Sequence, residues 1–93
     1  LELLDAALAA LPAEPDLWLF RGRYRMERRD CTNALSDFQQ AGRLRPEGAP
    51  AWASSGLARL CLGDAEGASN DFRRSLSLDP HQPELKKFLE KGP

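Results

Sequence analysis

Two cysteines, one histidine and a run of arginines are the residues of this chain with the most chemistry in them. Cys31 and Cys61 stand thirty residues apart, and His81 lies well away from both, between Pro80 and Pro83. That set lacks the ligand number and the spacing of a structural zinc site. The expectation for the cysteines is two small, mostly buried helix-packing residues. A disulfide between neighbouring helices is the alternative, which only distances can decide. His81 reads as a solvated loop residue rather than a base or ligand. No glycine-rich phosphate loop, His-Glu metal pair or nucleophile elbow occurs. Neither a cofactor nor catalysis is expected; the chain is not read as an enzyme.

The arginines crowd from Arg21 to Arg29, RGRYRMERR. On a helix Arg21, Arg25 and Arg28 fall along one stripe with Trp18, while Arg23 points elsewhere. One reading is an RNA or anionic-ligand site with Tyr24 as a stacking group. The preferred one is structural: the guanidinium groups lie over aromatic rings and pair with acids such as Asp37. Arg25 and Asp37 recur together as Arg59 and Asp71, which suggests a repeated contact within each unit.

The elements that must position these residues follow from an internal repeat. A shift of 34 residues superposes nine identities: Trp18/Trp52, Gly22/Gly56, Arg25/Arg59, Asp30/Asp64, Ala34/Ala68, Asp37/Asp71, Phe38/Phe72, Leu44/Leu78 and Pro46/Pro80. A fixed period of this length marks stacked supersecondary units, none of which can bury its apolar face alone. Each copy reads as two helices. Pro15 and Pro50 suit helix starts, Asp30 and Asp64 suit N-caps, and Gly63 suits a left-handed stop. Before them Leu1, Leu4, Leu8 and Leu11 recur at helical spacing, and after them Pro83 opens a short helix from Glu84 to Lys91. The expected architecture is all-α, a right-handed α-solenoid of antiparallel helix pairs. The division is 1–14 for the second helix of a partial unit, 15–48 and 49–82 for two full units, and 83–93 for a capping helix. Mid-helix Gly22 and Gly56 imply close packing, with Ala34 and Ala68 expected opposite and Trp18, Phe38, Trp52 and Phe72 as the large groups.

Composition agrees with a single folded domain. The 93 residues are 29% charged and 42% apolar, with a net charge of −1. No basic excess points to nucleic acid or an anionic membrane, and no apolar run approaches the roughly 20 residues of a membrane span. Leu1–Leu11 carries Glu2 and Asp5 without a basic leader, so it does not read as a signal peptide. With no initiator Met, the chain reads as a piece of a longer protein. A soluble protein is expected, with a lean to a reducing compartment, the cytoplasm.

Trp18, Gly22, Ala34, Phe38, Ala41 and Pro46, then Trp52, Gly56, Ala68, Phe72 and Pro80, resemble the signature of the tetratricopeptide repeat, a 34-residue helix-turn-helix family. Departures are Arg21 and Ser55 in place of Leu, Arg25 and Arg59 in place of Tyr, and Ser75 in place of a small Ala. Arg29 takes the turn position that Gly63 holds in the second copy. The resemblance implies a concave face, lined by the first helix of each unit, that holds an extended peptide or a helix. That face maps to Leu19, Phe20, Arg23, Met26 and Glu27, then Ala53, Ser54, Leu57, Leu60 and Cys61. Leu19, Arg23, Met26 and Ala53, Leu57, Leu60 each form one helical stripe.

The expected function is therefore a non-catalytic protein–protein interaction module, a scaffold segment holding a peptide or helix of a partner protein. The alternatives are RNA or anionic-ligand binding through Arg21–Arg29, or a purely architectural segment that self-associates through exposed repeat ends. Chaperone-adaptor members of the family grip a peptide's terminal carboxylate with basic and amide side chains. Their positions map here to Leu19, Arg23, Ser54, Glu84 and Phe88. None matches the Lys, Asn, Asn, Lys and Arg that the family places there in that order, so the expectation is against a chaperone-tail clamp.

Overall fold

A computed structural model describes residues 1–91 of the chain. Six α-helices follow one another: α1 (Glu2–Ala10), α2 (Pro15–Glu27), α3 (Cys31–Leu44), α4 (Ala49–Cys61), α5 (Ala65–Leu78) and α6 (Pro83–Lys91). No strand occurs among the described residues. Each helix packs mainly on its chain neighbours: α2 on α3, α3 on α4, α4 on α5, with α1 against α2 and α6 against α5. The result is a slab of 41 × 25 × 17 Å, longest along the stacking direction. The chain is all-α and built as a helical repeat, as its period implies.

Local signals set the helix ends. Proline at the first turn of α2 and α4 forfeits an amide that has no helical partner there. α2 and α4 each stop at a residue in the left-handed region, Arg29 at φ 63° and Gly63 at φ 81°. Both turns then close on the same bond, from Asp30 N–H to Arg25 C=O and from Asp64 N–H to Arg59 C=O, 2.8 Å each. Asp64 caps α5 as expected, its carboxylate accepting from the Gly67 N–H at 2.9 Å. Asp30 does not cap α3. Its carboxylate instead accepts from the Asn33 side chain at 2.9 Å.

The two mid-helix glycines are notches for phenylalanine, not for the alanines expected opposite them. A Cβ built on Gly22 would sit 2.7 Å from Cδ1 and 3.0 Å from Cζ of Phe38. The same construction at Gly56 falls 2.6 and 3.1 Å from those atoms of Phe72. Removing a side chain from the first helix lets a whole ring lie flush on its backbone. Phe38 and Phe72 are accordingly 2% and 1% exposed. Ala34 and Ala68 are fully buried beside them. Between the units Gly42 performs a similar service for the Trp52 ring, at 3.3 Å from Cζ2.

The tryptophans tie helix to preceding loop. Trp18 Nε1 donates to the Pro12 carbonyl at 2.8 Å, and Trp52 Nε1 to the Pro46 carbonyl at 3.0 Å. Trp and Pro thus share the period because one holds the other. Proline stops the previous helix, and its freed carbonyl receives the indole.

Five departures from the family pattern also find partners. Asp37 is 1% exposed and accepts from Arg21 Nε and Nη2 at 3.1 and 2.9 Å and from Arg25 Nη1 at 3.1 Å. In the second unit Asp71 accepts from Ser55 Oγ at 2.7 Å and from Arg59 Nε at 2.9 Å. Arg21 and Ser55 replace an apolar residue because a buried carboxylate lies across the helix interface, and such a group requires donors. Ser75 donates to the Ala49 carbonyl at 3.0 Å, linking α5 to the start of α4.

The cysteines are not the separate packing residues expected. Cys31 and Cys61 form a disulfide with Cα atoms 6.3 Å apart. Cys31 is buried and Cys61 exposed. Because α3 and α4 run antiparallel, the first residue of one meets the last residue of the other.

Candidate functional site

The exposed face between α2 and α4 carries two adjoining cavities of about 300 Å³ each. The first lies toward the start of both helices and is lined by Leu19, Phe20 and Arg23 of α2, Ala41 of α3, Ala51 of α4 and the α3–α4 loop. The second lies toward their ends, among Arg23, Met26, Glu27, Phe38, Ser54 and Leu57. Arg23 lines both.

Seven of the ten residues expected on the concave face line these cavities: Leu19, Phe20, Arg23, Met26, Glu27, Ser54 and Leu57. They differ in what they offer. Leu19 is 9% exposed and belongs to the core with Ala34, Phe38, Ala41, Ala51 and Ala58, so it forms a floor. Phe20 and Leu57 are 53% and 51% exposed, large apolar surfaces facing solvent from opposite walls. Ala53 and Leu60 are half-buried and line neither cavity. Cys61 is removed from the free surface groups by its bond to Cys31.

Sequence reasoning missed Pro15, Asp16, Ala41, Arg45, Gly48, Pro50 and Ala51, all around the first cavity. It assigned the face to first helices alone, whereas the α3–α4 loop folds over one end of it. The signal was present in the length of that loop. Four residues from Arg45 to Gly48 cannot carry the chain clear of the groove.

Charge is unevenly placed. The first cavity has two cations, Arg23 and Arg45, and one acid, Asp16, which pairs with Arg45 at 3.3 Å in an exposed bridge. The second has Arg23 against Glu27. Arg23 is exposed and makes no ion pair among the described residues.

The remaining arginines are mostly engaged. Arg21 bridges Asp5 and Asp37 at 2.9 Å each and lies 5.1 Å over the Trp18 ring. Its pKa is raised, chiefly by the hydrogen bond to Asp37 and against the opposing effect of burial. Arg25 pairs with Asp37, and Arg28 lies 4.9 Å over Tyr24. The stripe is thus structural, as the preferred sequence reading had it. No metal-binding cluster of His, Cys, Asp and Glu occurs among the described residues, and none of their helices is long and apolar enough to cross a membrane.

No family model matches the chain. The Hsp70-Hsp90 organizing protein of Triticum aestivum is 32% identical over 83 residues, 89% of this chain but only 14% of that protein's length. Among solved structures, the first TPR of Spaghetti (RPAP3) bound to the HSP90 peptide SRMEEVD superposes with a TM-score of 0.91 at 28% identity. It is matched over 97% of this chain and 71% of its own. The second TPR domain of the human RPAP3 protein, in complex with the HSP70 peptide SGPTIEEVD, gives 0.89 at 29% identity, over 97% and 75%.

These similarities overturn the expectation against chaperone tails, since similar domains hold such peptides. The structure shows where the residue-matching argument failed. Of the five mapped positions, Glu84 and Phe88 line neither cavity, and Phe88 instead meets the Phe72 ring edge-on at 5.1 Å. Glu84, whose charge would oppose a peptide carboxylate, thus stands outside both cavities. With its two notched helix pairs, its Trp–Pro ties and these structural relatives, the chain is a tetratricopeptide-repeat domain, a module of protein interaction.

Proposed function

We propose that the groove between α2 and α4 binds an extended peptide that sets an acidic group beside an apolar side chain, as the chaperone tails SRMEEVD and SGPTIEEVD of the solved relatives do. The observation that carries this reading is Arg23, unpaired and exposed where the two cavities meet. A carboxylate placed between Arg23 and Arg45 gains charge-assisted hydrogen bonds, and it competes with Asp16 only for an exposed ion pair. The apolar side chain then enters the second cavity over Met26 and Leu57, where no cation stands in excess. The net charge of −1 supplies no long-range attraction for an acidic peptide, so recognition is local. No catalytic step is part of this function.

Fluorescence anisotropy with labelled SRMEEVD tests it. Arg23→Glu and Leu57→Asp are both expected to weaken binding by at least about tenfold, some 1.4 kcal/mol, with the helical circular dichroism unchanged. Undiminished binding by either variant would refute the groove assignment. Failure of the parent chain to bind any acidic-apolar peptide would refute the ligand class.

A further inference from the structure

We infer that the Cys31–Cys61 disulfide is a redox clasp that sets the width of the peptide groove; the inference rests on the groove being the binding site. The first observation is topological. α2 and α4 form the walls of the groove, yet they touch each other little: α2 packs chiefly on α3, and α4 lies between α5 and α3. The separation of the walls therefore depends on how α3 and α4 sit together. One end of that helix pair is closed by the loop Arg45–Gly48, and the other end by the disulfide. Loop, helices and disulfide make a covalent ring around the contact between the two units.

The second observation concerns what fills this ring. The buried residues of α3 and α4 in the shared core are Ala34, Phe38 and Ala41 on one side and Ala51 and Ala58 on the other. Phe38 is committed to the notch at Gly22 in its own unit. Four of the five core residues that these two helices share are thus alanines, with half-buried Leu35 packed against them and Trp52 on Gly42 near the loop end. Small residues bury little area, so packing holds the disulfide end weakly without the covalent tie.

The third observation is position. Cys61 follows Leu57 by one helical turn on α4. Cys31 begins α3 just beyond the turn that leaves Glu27. Neither cysteine lines the second cavity, but each follows one of its wall residues, Glu27 or Leu57, by four positions in the chain. A groove with fixed walls binds without first ordering them, and that ordering cost appears when the clasp opens.

Opening needs a thiol reductant, and Cys61 lies on the exposed side. A thiolate of a small dithiol attacks the Cys61 sulfur, forms a mixed disulfide there and expels the Cys31 thiolate, which takes a proton. The second thiol of the reductant then displaces Cys61 as a thiolate, which is protonated, and the reductant leaves as its own disulfide. Two electrons pass to the protein sulfurs. Glutathione disulfide reverses the sequence, leaving as two molecules of glutathione.

The test measures the affinity of the full chain for labelled SRMEEVD after equilibration with glutathione disulfide and after reduction with dithiothreitol. Amide hydrogen exchange at the last turn of α4 is followed in both states. Reduction is expected to weaken binding on the order of tenfold and to speed exchange at that turn. Cys61→Ser should show the weaker affinity in both solutions. Equal affinity and equal exchange in the two states would overturn the clasp and leave the groove standing. Binding in neither state would overturn the groove reading, and the clasp as a regulator of it.

Discussion

Replacing Gly22 with alanine should destabilise this domain, although alanine is the better helix former by about 1 kcal/mol. The new Cβ would lie 2.7 Å from Cδ1 and 3.0 Å from Cζ of Phe38. Ordinary carbon contacts begin at about 3.5 Å, so the ring must retreat by roughly half an ångström or more. Phe38 is 2% exposed, so most of the ring is packed and resists displacement, although it borders the second cavity. Overpacking of this kind costs about 1–3 kcal/mol, and such an overlap belongs near the top of that range. The net expectation is a loss of about 2 kcal/mol, or roughly 10 °C in Tm for a domain of this size. Urea unfolding followed by circular dichroism, with the disulfide kept oxidised, measures it. Phe38→Leu removes part of the obstructing ring, so Gly22→Ala should cost far less in that background, with a coupling of at least about 1 kcal/mol. A Gly22→Ala protein as stable as the parent, or additivity in the double variant, would refute the notch.

Four further outcomes follow from the geometry. Arg29→Gly should stabilise the domain by about 0.5–1 kcal/mol in the same unfolding assay, because Arg29 holds a positive φ of 63° that glycine adopts without strain. Asp37→Ala should cost about 3 kcal/mol, toward the low end for a broken buried ion pair, since Arg21 and Arg25 are partly exposed and can turn to solvent. Asp16→Ala, which breaks only an exposed bridge, should cost less than about 1 kcal/mol. The carboxylate of Asp64 is held below its ordinary pKa by the hydrogen bond from Gly67 N–H and then by Arg59. Its contribution is thus fully present above the unfolded value, about pH 4, and is lost as pH falls through the lower folded value. The stability difference between the parent and Asp64→Asn should therefore be constant at neutral pH and shrink in acid, as urea melts across pH would show.

Most of the fold was legible because its determinants are local and occur twice. Proline, aspartate and Gly63 mark helix ends through backbone geometry that any observer of the chain can read. Recurrence of Trp, Gly, Phe and Pro at one period then says that two units share one packing plan. What recurrence could not say is which member of the set touches which. Alanine seemed the natural partner of glycine, and the structure seats phenylalanine there instead. The Trp–Pro hydrogen bonds were equally hidden, since nothing in a spacing reveals that an indole reaches back six residues.

The candidate site was less legible for a related reason. The helical stripe did name Leu19, Arg23, Met26 and Leu57, which line the two cavities, because i, i+4, i+7 is a property of one helix. The loop residues and Ala41 enter the first cavity only through the stacking of α3 between α2 and α4. The arginine run was more legible. The stripe Arg21, Arg25 and Arg28 read as structural and is committed to Asp37 and Tyr24, while Arg23, which pointed elsewhere, faces the groove.

By itself the sequence determined the helices, their order and the repeat, since helix signals and period are short-range and survive without knowledge of the whole. The tertiary structure alone decided the disulfide and the membership of the groove. Each of those joins residues that only the packing of α3 against its two neighbours brings within bonding distance.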